Sequence, residues 1–250
     1  MDGSNRERPA FVRLAAHPLR WRLLTTLATG DHRVRELVAL VGEPQNLVSY
    51  HLRLLRDGGL VTATRSSFDG RDSYYHLDLD RCADALAATG SALHPALRPG
   101  PRPEPATPSG SRISVLFVCT GNSARSPVAE ALLRHRTGDR VHATSAGTRP
   151  QPHLHPDTAR VLRDTFGIDI AGQRPRAVDT MRQHRFDHVI TLCDKAREAL
   201  PEFEHEPRRA HWSVPEPGTD HFHRTAADID TRIRHLLPVL DTTHHEPTEA

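Results

Sequence analysis

The sequence predicts two domains of different class. The first is an N-terminal winged helix-turn-helix of α+β type. The second is a C-terminal α/β domain in three layers, built on a central, mostly parallel four-stranded sheet. Three observations carry this. Helical spacing over residues 10–57 runs into a two-strand pattern that ends at Leu77. Residues 95–111, PALRPGPRPEPATPSGS, are too rich in Pro, Gly and Ser to build a core, and read as a semi-extended linker. From Ile113 on, apolar runs of strand length alternate with amphipathic helical stretches, the pattern of a parallel sheet covered on both faces. The expected boundaries are therefore 1–94, a linker at 95–111, 112–241 and a polar, disordered tail at 242–250. The 250 residues suffice for two domains of ordinary size.

In the first domain, Phe11, Leu14, Ala15, Leu19, Leu23, Leu24 and Leu27 recur at helical spacing, with Pro18 marking a break and restart. Arg33 to Val41 reads as a second helix with Val34, Leu37, Val38 and Val41 inward. Gly42-Glu43-Pro44 is a turn. Gln45 to Asp57 is a third helix with Leu47, Val48, Leu52 and Leu55 on one face, stopped by Gly58-Gly59. Leu60–Arg65 and Asp72–Leu77 form a hairpin about Asp69-Gly70. A helix from Arg81 to Ala88 follows and carries Cys82 as a small buried residue. Helix, turn, helix and hairpin make a winged helix-turn-helix.

In the second domain, the apolar, β-branched run Ile113 to Cys119 is a buried strand. A loop, Thr120 to Ala124, leads to Arg125 and Ser126, with Pro127 expected at the first helical position. Val141–Thr148 and Asp187–Cys193 are further strands, and Arg209–Val214 is a last short one. Helices are expected at Pro156–Phe166, at Lys195–Leu200 with Asp194 as its cap and Pro201 as its stop, and at Thr225–Leu240.

The strand–loop–helix junction carries the chemistry. A loop entering a helix presents unpaired backbone N–H groups, and the helix dipole adds partial positive charge. A phosphate or arsenate oxyanion fits there. Arg125, six positions after Cys119, can grip two of its oxygens. The same field favours thiolate over thiol at Cys119, and Ser126 can donate a hydrogen bond to it. Such a loop belongs at the carboxyl end of the first strand, where open α/β sheets bind ligands.

Composition narrows the setting. Lys and Arg total 33 against 31 acidic residues, so net charge is only +2 and any nucleic-acid contact must come from a local patch. No apolar run approaches the ~20 residues of a spanning helix. The N-terminal MDGSNRERPAF lacks a signal-peptide core. Three cysteines make no disulfide framework, which suits a reducing cytoplasm. The 18 histidines are scattered without metal-ligand spacing, so no metal site is expected.

The motif CTGNSARS resembles the Cys-x5-Arg-Ser loop of the low-molecular-weight protein tyrosine phosphatase superfamily, which includes the arsenate reductases of the same fold. SAGT at 145–148 is a further match, and the likeness runs from about Ile113 to Asp241. It implies that Cys119 is the nucleophile and Arg125 the anion clamp. Thr120, Gly121, Asn122, Ser123, Ala124 and Ser126 would form the oxyanion cradle. HWSVPEPG places Glu216-Pro217 where the superfamily carries an Asp-Pro general acid, with Asp220 as a nearby reserve. No tyrosine flanks it, which argues against phosphotyrosine. HVITLCDKAREALPEF places Cys193 on the second redox cysteine of the reductases. Leu200 and Ala124 stand where further cysteines would be, so a three-cysteine relay cannot operate. Either Cys119 and Cys193 pair directly, or an external thiol (mycothiol with mycoredoxin, or thioredoxin) resolves the adduct. No bound cofactor is implied.

LAAHPLRWRLLTTLATGDHRVRELVALVGEPQNLVSYHLRLLRDGGLV resembles the ArsR-type winged-helix repressors across about Pro9 to Asp80. The likeness implies binding to a double-stranded DNA operator as a homodimer through the N-terminal domain. Gln45, Asn46, Ser49, Tyr50, His51 and Arg53 would face the DNA, and Arg65 and Arg71 would serve the wing. No cysteine precedes Cys82, so a thiolate trap for arsenite in this domain is unsupported. Together the two likenesses imply a cytoplasmic arsenate reductase fused to a DNA-binding regulator. A phosphomonoesterase with a regulatory domain, and a non-catalytic oxyanion sensor, are the alternatives.

Overall fold

The computed structural model describes residues 9–94, 97, 113–218 and 221–242. The chain divides into two compact units, Met1–Glu104 and Pro105–Ala250. The expected linker, apart from Leu97, lies outside the described residues, as do Asp220 and the expected tail beyond Thr242.

In the first unit, α1 (Ala10–Ala15) and α2 (Pro18–Leu27) are separated at Pro18, whose missing N–H costs nothing at a first helical position. The His17 ring accepts from Leu19 N and caps α2. A two-residue strand β1 (His32–Arg33) precedes α3 (Val34–Val41). This strand was not expected; two residues carry no periodic signal. Its Arg33 closes a capping box with Glu36. Helix α4 (Gln45–Asp57) buries Val48, His51, Leu52 and Leu55, and each fully buried aliphatic contributes about 2 kcal/mol. β2 (Val61–Arg65) and β3 (Ser73–Leu77) form the hairpin, and β1 adds to β3, all antiparallel. Helix α5 (Leu79–Leu93) runs five residues beyond the expected end at Ala88, continuing through Gly90 with no proline to stop it. Cys82 is buried near Leu60 O, and burial, then Asp78, push its thiol up to about 11, out of reactive range.

The second unit holds a fully parallel sheet in the order β5-β4-β6-β7: β4 (Ile113–Cys119), β5 (Val141–Gly147), β6 (His188–Thr191) and β7 (Arg208–His211). β4 is buried at six of its seven positions, as a central strand covered on both faces must be. Helix α6 (Arg125–Thr137) is buried at every residue from Arg125 to Leu133 and packs on β4, β5 and α9 (Phe222–Thr242). Helix α7 (Pro156–Phe166) ends on Gly167 in the left-handed region. Helix α8 (Asp194–Glu198) is short.

Several limits differ from expectation: α9 starts at Phe222 instead of Thr225 and α8 ends at Glu198 instead of Leu200, and three further differences bear on the site. Helix α6 starts at Arg125, so Pro127 is its third residue; the N–H groups of the first turn have no intrahelical acceptor, so proline is tolerated there too. Asp194 is the first residue of α8 instead of its cap, because its carboxylate turns inward to His211 and Ser213. β6 and β7 stop short of Cys193 and Val214, leaving both in the irregular backbone beyond the carboxyl ends of their strands.

Candidate active site and DNA-facing surface

Cys119 is the last residue of β4 and is 2% exposed. The loop after it is bound through its carbonyls. Thr148 N donates to Cys119 O, Arg149 N to Thr120 O, Gln151 N to Gly121 O and His155 N to Ser123 O, at 2.8–3.1 Å. In a trans peptide the C=O and the following N–H point in opposite directions. There are no cis bonds among the described residues, so the amides of Thr120, Gly121, Asn122 and Ala124 point away from that segment. Among the described residues, no acceptor takes the amides of 120–124. The loop ends at the N-terminus of α6. Unpaired amides in this arrangement can form an anion cradle from backbone alone.

Asn122 holds the cradle's shape. Its φ is 47°, the only positive value at a non-glycine among the described residues. Asparagine tolerates that region, and its side chain is fully buried under the loop. Its Nδ2 donates to Ser126 Oγ (2.9 Å) and Ser145 Oγ (2.8 Å), and its Oδ1 accepts from Arg176 N (2.7 Å). Ser126 Oγ lies 3.0 Å from Cys119 Sγ. Asn122 occupies a lone pair of that hydroxyl, whose hydrogen can point at the sulfur or at Ala146 O, 3.4 Å away. Ser145 donates onward to Glu130 Oε2 (2.6 Å), which also accepts from Gln173 and Arg176. A chain of buried contacts thus runs from the sulfur to Glu130. A methyl on Gly147 would meet Thr120 O at 2.7 Å and Asn122 N at 2.9 Å, so glycine there lets β5 approach the loop.

Arg125, first in α6, is 5% exposed. Its NH1 donates to Val214 O at 3.0 Å, while its buried Nε has no partner. An unsatisfied buried donor costs about 1–3 kcal/mol, which an oxyanion would relieve. A cavity of about 460 Å3 is lined by Cys119, Thr120, Gly121, Ser123, Ala124 and Arg125 together with Glu216 and Pro217. Gln151 and the segment 152–156, with Phe222, complete the wall. Phe222 stacks on the His155 ring at 4.5 Å. Cys193 is buried; its Sγ lies 3.3 Å from Oγ1 of Thr120, the residue that follows Cys119. Cys119 and Cys193 are both free thiols.

The structure therefore gathers Cys119, Arg125, Glu216 and the loop about one cavity and sets Cys193 against the loop. Asn122 and Ser126 lie beneath the cradle with side chains sealed from it. Sequence reasoning missed Glu130, Arg176, Asp194 and His211. The only available signal for Glu130 was a carboxylate set in the otherwise apolar face of α6. Among the described residues no three metal-ligating side chains cluster.

Residues 114–246 match the family described as low molecular weight phosphotyrosine protein phosphatase. The chain belongs to that family. Within this phosphatase family its similarity extends to arsenate reductases. The arsenate reductase of Bacillus licheniformis is 34% identical over 133 residues, covering 50% of this chain and 94% of that one. That of Halalkalibacterium halodurans is 32% identical over 129 residues, covering 48% and 91%. A crystal structure of an arsenate reductase from Archaeoglobus fulgidus aligns at 28% identity over 50% of this chain and 98% of its own, with a TM-score of 0.43. Residues 17–63 match the bacterial regulatory protein arsR family, so the phosphatase-family domain is fused to an ArsR-type helix-turn-helix.

On that regulator domain, Gln45, Asn46, Ser49, Tyr50 and Arg53 are exposed along α4, with the Arg53 guanidinium over the Tyr50 ring at 5.7 Å. His51 corrects the expectation: it is 5% exposed, on the inward stripe with Val48, Leu52 and Leu55, its ring 4.3 Å from that of His17. Arg65 NH1 donates to Gly70 O across the wing turn, and Arg71 stays exposed at its tip. No helix among the described residues is long and apolar enough to cross a membrane.

Proposed function

We propose that the chain is a thiol-dependent arsenate reductase joined to a DNA-binding arsenic-responsive regulator. The observation that carries this reading is the buried, half-partnered Arg125 and the Ser126-bonded Cys119 sharing one cavity with unpaired loop amides. The pairing with an ArsR-type domain favours arsenic chemistry as functional analogy.

The steps balance as follows. The Cys119 thiolate attacks arsenic(V); an As–S bond forms, and one arsenate oxygen leaves as water, protonated by Glu216. A second thiol then attacks the Cys119 sulfur. An S–S bond forms, the As–S electron pair stays on arsenic, and arsenite leaves. The two electrons come from the two thiols. Cys193, against Thr120, is the internal candidate for the second thiol; a low-molecular-weight thiol such as mycothiol is the external one. A reducing system, with mycoredoxin or thioredoxin, then restores the thiols. That need, and DNA as a partner, support a cytoplasmic location.

For the regulator, Gln45, Asn46 and Ser49 would read base edges, while Arg53 and the wing arginine Arg71 would contact phosphate. We place the homodimer interface on α5 and α1. Leu79, Leu86 and Leu93 are exposed at seven-residue spacing on α5, beside Val12 on α1, an apolar stripe fit for a second copy. The domain limits we adopt are 1–94 and 112–241.

A phosphomonoesterase is the second reading, favoured by Glu216-Pro217 in the cavity wall, since a leaving alkoxide needs an acid. The purified chain is supplied with arsenate plus a thiol system, and separately with p-nitrophenyl phosphate. Arsenite release exceeding ester hydrolysis supports the first reading; the reverse supports the second. Cys119→Ser abolishes either activity. Turnover surviving in that variant would sink both.

A further inference from the structure

A second cavity, of about 370 Å3, lies in the C-terminal unit away from the Cys119 loop. Its lining includes residues 141–144 of the edge strand β5. The loop meets the other end of β5 at Gly147, roughly 10–20 Å away at about 3.3 Å per residue. Arg134, Arg176 and Arg185 line it with His142, His184 and the carboxylate of Glu130. Three guanidiniums face one carboxylate, an excess of two positive charges before either histidine is counted. That carboxylate is already engaged: Oε2 accepts from Ser145, Gln173 and Arg176, and Oε1 from Arg134. Among the described residues Arg185 has no carboxylate partner, and the buried Nε of Arg176 has no acceptor. The volume falls in the ~300–1,000 Å3 range of small-ligand sites and exceeds the need of a bare tetrahedral anion.

We propose that this cavity is a second oxyanion site, which takes the phosphate group of a small molecule and acts on the Cys119 loop through Arg176. Guanidiniums are the side chains best matched to phosphate oxygens. Arg176 is also the link. Its N–H donates to Asn122 Oδ1 at 2.7 Å, and its carbonyl accepts from Gly147 N at 2.8 Å. Its guanidinium holds Glu130, where the contacts from Ser126, Asn122 and Ser145 end. An anion that draws the guanidinium into the cavity loosens that hold and shifts the supports of the nucleophile. The site itself does not depend on the reductase reading; its effect on turnover does.

The test is a residue-resolved 1H–15N titration of the full chain at constant ionic strength. Two probes are used: sulfate for a bare oxyanion, and propylphosphonate, whose C–P bond resists hydrolysis, for an organic phosphate. Signals of His142 and Arg185 should move with a midpoint of their own, distinct from that of Gly121 and Ser123. The double variant His184→Glu, Arg185→Glu, at two exposed positions, should weaken the cavity midpoint tenfold or more and leave the loop midpoint within twofold. Tighter binding of propylphosphonate identifies an organic phosphate as ligand; equal or tighter sulfate binding identifies inorganic phosphate. Cavity signals that stay still, or follow the loop midpoint, or are indifferent to the double variant, overturn the proposal. Loop signals that stay still while cavity signals move would sink the oxyanion loop and the coupling through Arg176, and leave only the anion site itself.

Discussion

The Arg125 guanidinium donates to the Val214 carbonyl at 3.0 Å, so the group that would clamp the oxyanion is aimed by the backbone two residues before Glu216. That backbone is itself pinned. Asp194 accepts from Ser213 Oγ at 2.7 Å and contacts His211 Nε2 at 3.1 Å, while His211 Nδ1 meets Thr191 Oγ1 at 2.8 Å. Arg125, the backbone leading to Glu216 and the segment after Cys193 are thus tied to one buried carboxylate.

Asp194→Ala should therefore cost stability and misaim Arg125. It leaves the buried Ser213 hydroxyl and His211 ring without their acceptor, at about 1–3 kcal/mol each. Urea midpoints should fall, and KM for arsenate should rise in the fraction that stays folded. Asp194→Asn, which retains a hydrogen-bonding oxygen, should recover most of both. An unchanged KM in the Ala variant would show that Val214 does not aim the arginine.

Arg125→Lys keeps the charge and loses the planar fork. Turnover should fall about 100-fold or more, the scale of losing an oriented donor at a developing charge. Steady-state kinetics with arsenate checks this, and a loss below tenfold would contradict a bidentate clamp.

Gly147→Ala places a methyl 2.7 Å from Thr120 O, against backbone that cannot swing aside as a side chain would. The loop must shift. Activity should drop at least tenfold while the far-UV circular dichroism stays native. Ser126→Ala, which removes the contact to the sulfur, should slow iodoacetamide alkylation of Cys119 at neutral pH.

Two buried histidines set the acid limb of stability. His51 is held below its ordinary 6.5 by burial first, then by His17 and Arg20. His188 is held below it by burial and then Arg208, with Asp187 opposing. In each case the unfolded chain takes up a proton near pH 6.5 while the folded unit does not. Stability is thus complete above about 6.5 and declines as pH falls below it, levelling off under the folded value. Trp21 and Trp212 report the two units separately by fluorescence. His51→Gln should flatten the pH dependence seen by Trp21 alone.

Arg53→Ala should weaken DNA binding uniformly across sequences and lower the salt slope by about one, the signature of a phosphate contact. Gln45→Ala should instead relax sequence preference. Filter binding at several salt concentrations separates the two.

Much of this was legible before any coordinates. The bounds of α4 and α7 follow from helical periodicity between Pro44, Gly58, Pro156 and Gly167, all strong local signals. The cradle was legible because its function needs particular residue types at a short, continuous spacing. His51 was misread although its spacing from Val48 and Leu55 puts it on the inward stripe of α4; only its ring contact with His17 depends on how the first unit packs. β1 was missed because two residues carry no period.

The amino-acid order alone determined most of the elements and the loop from Cys119 to Ser126, since each rests on interactions between residues a few positions apart. Only the tertiary structure decided what stands behind them: Glu130 under the loop by way of Ser145, Arg176 bridging to Asn122, Asp194 gripping the irregular backbone that aims Arg125. These partners lie 15–89 positions apart in the chain. Sheet pairing and helix packing bring them together, and the exclusion of water makes each unpaired polar group costly enough to require its partner.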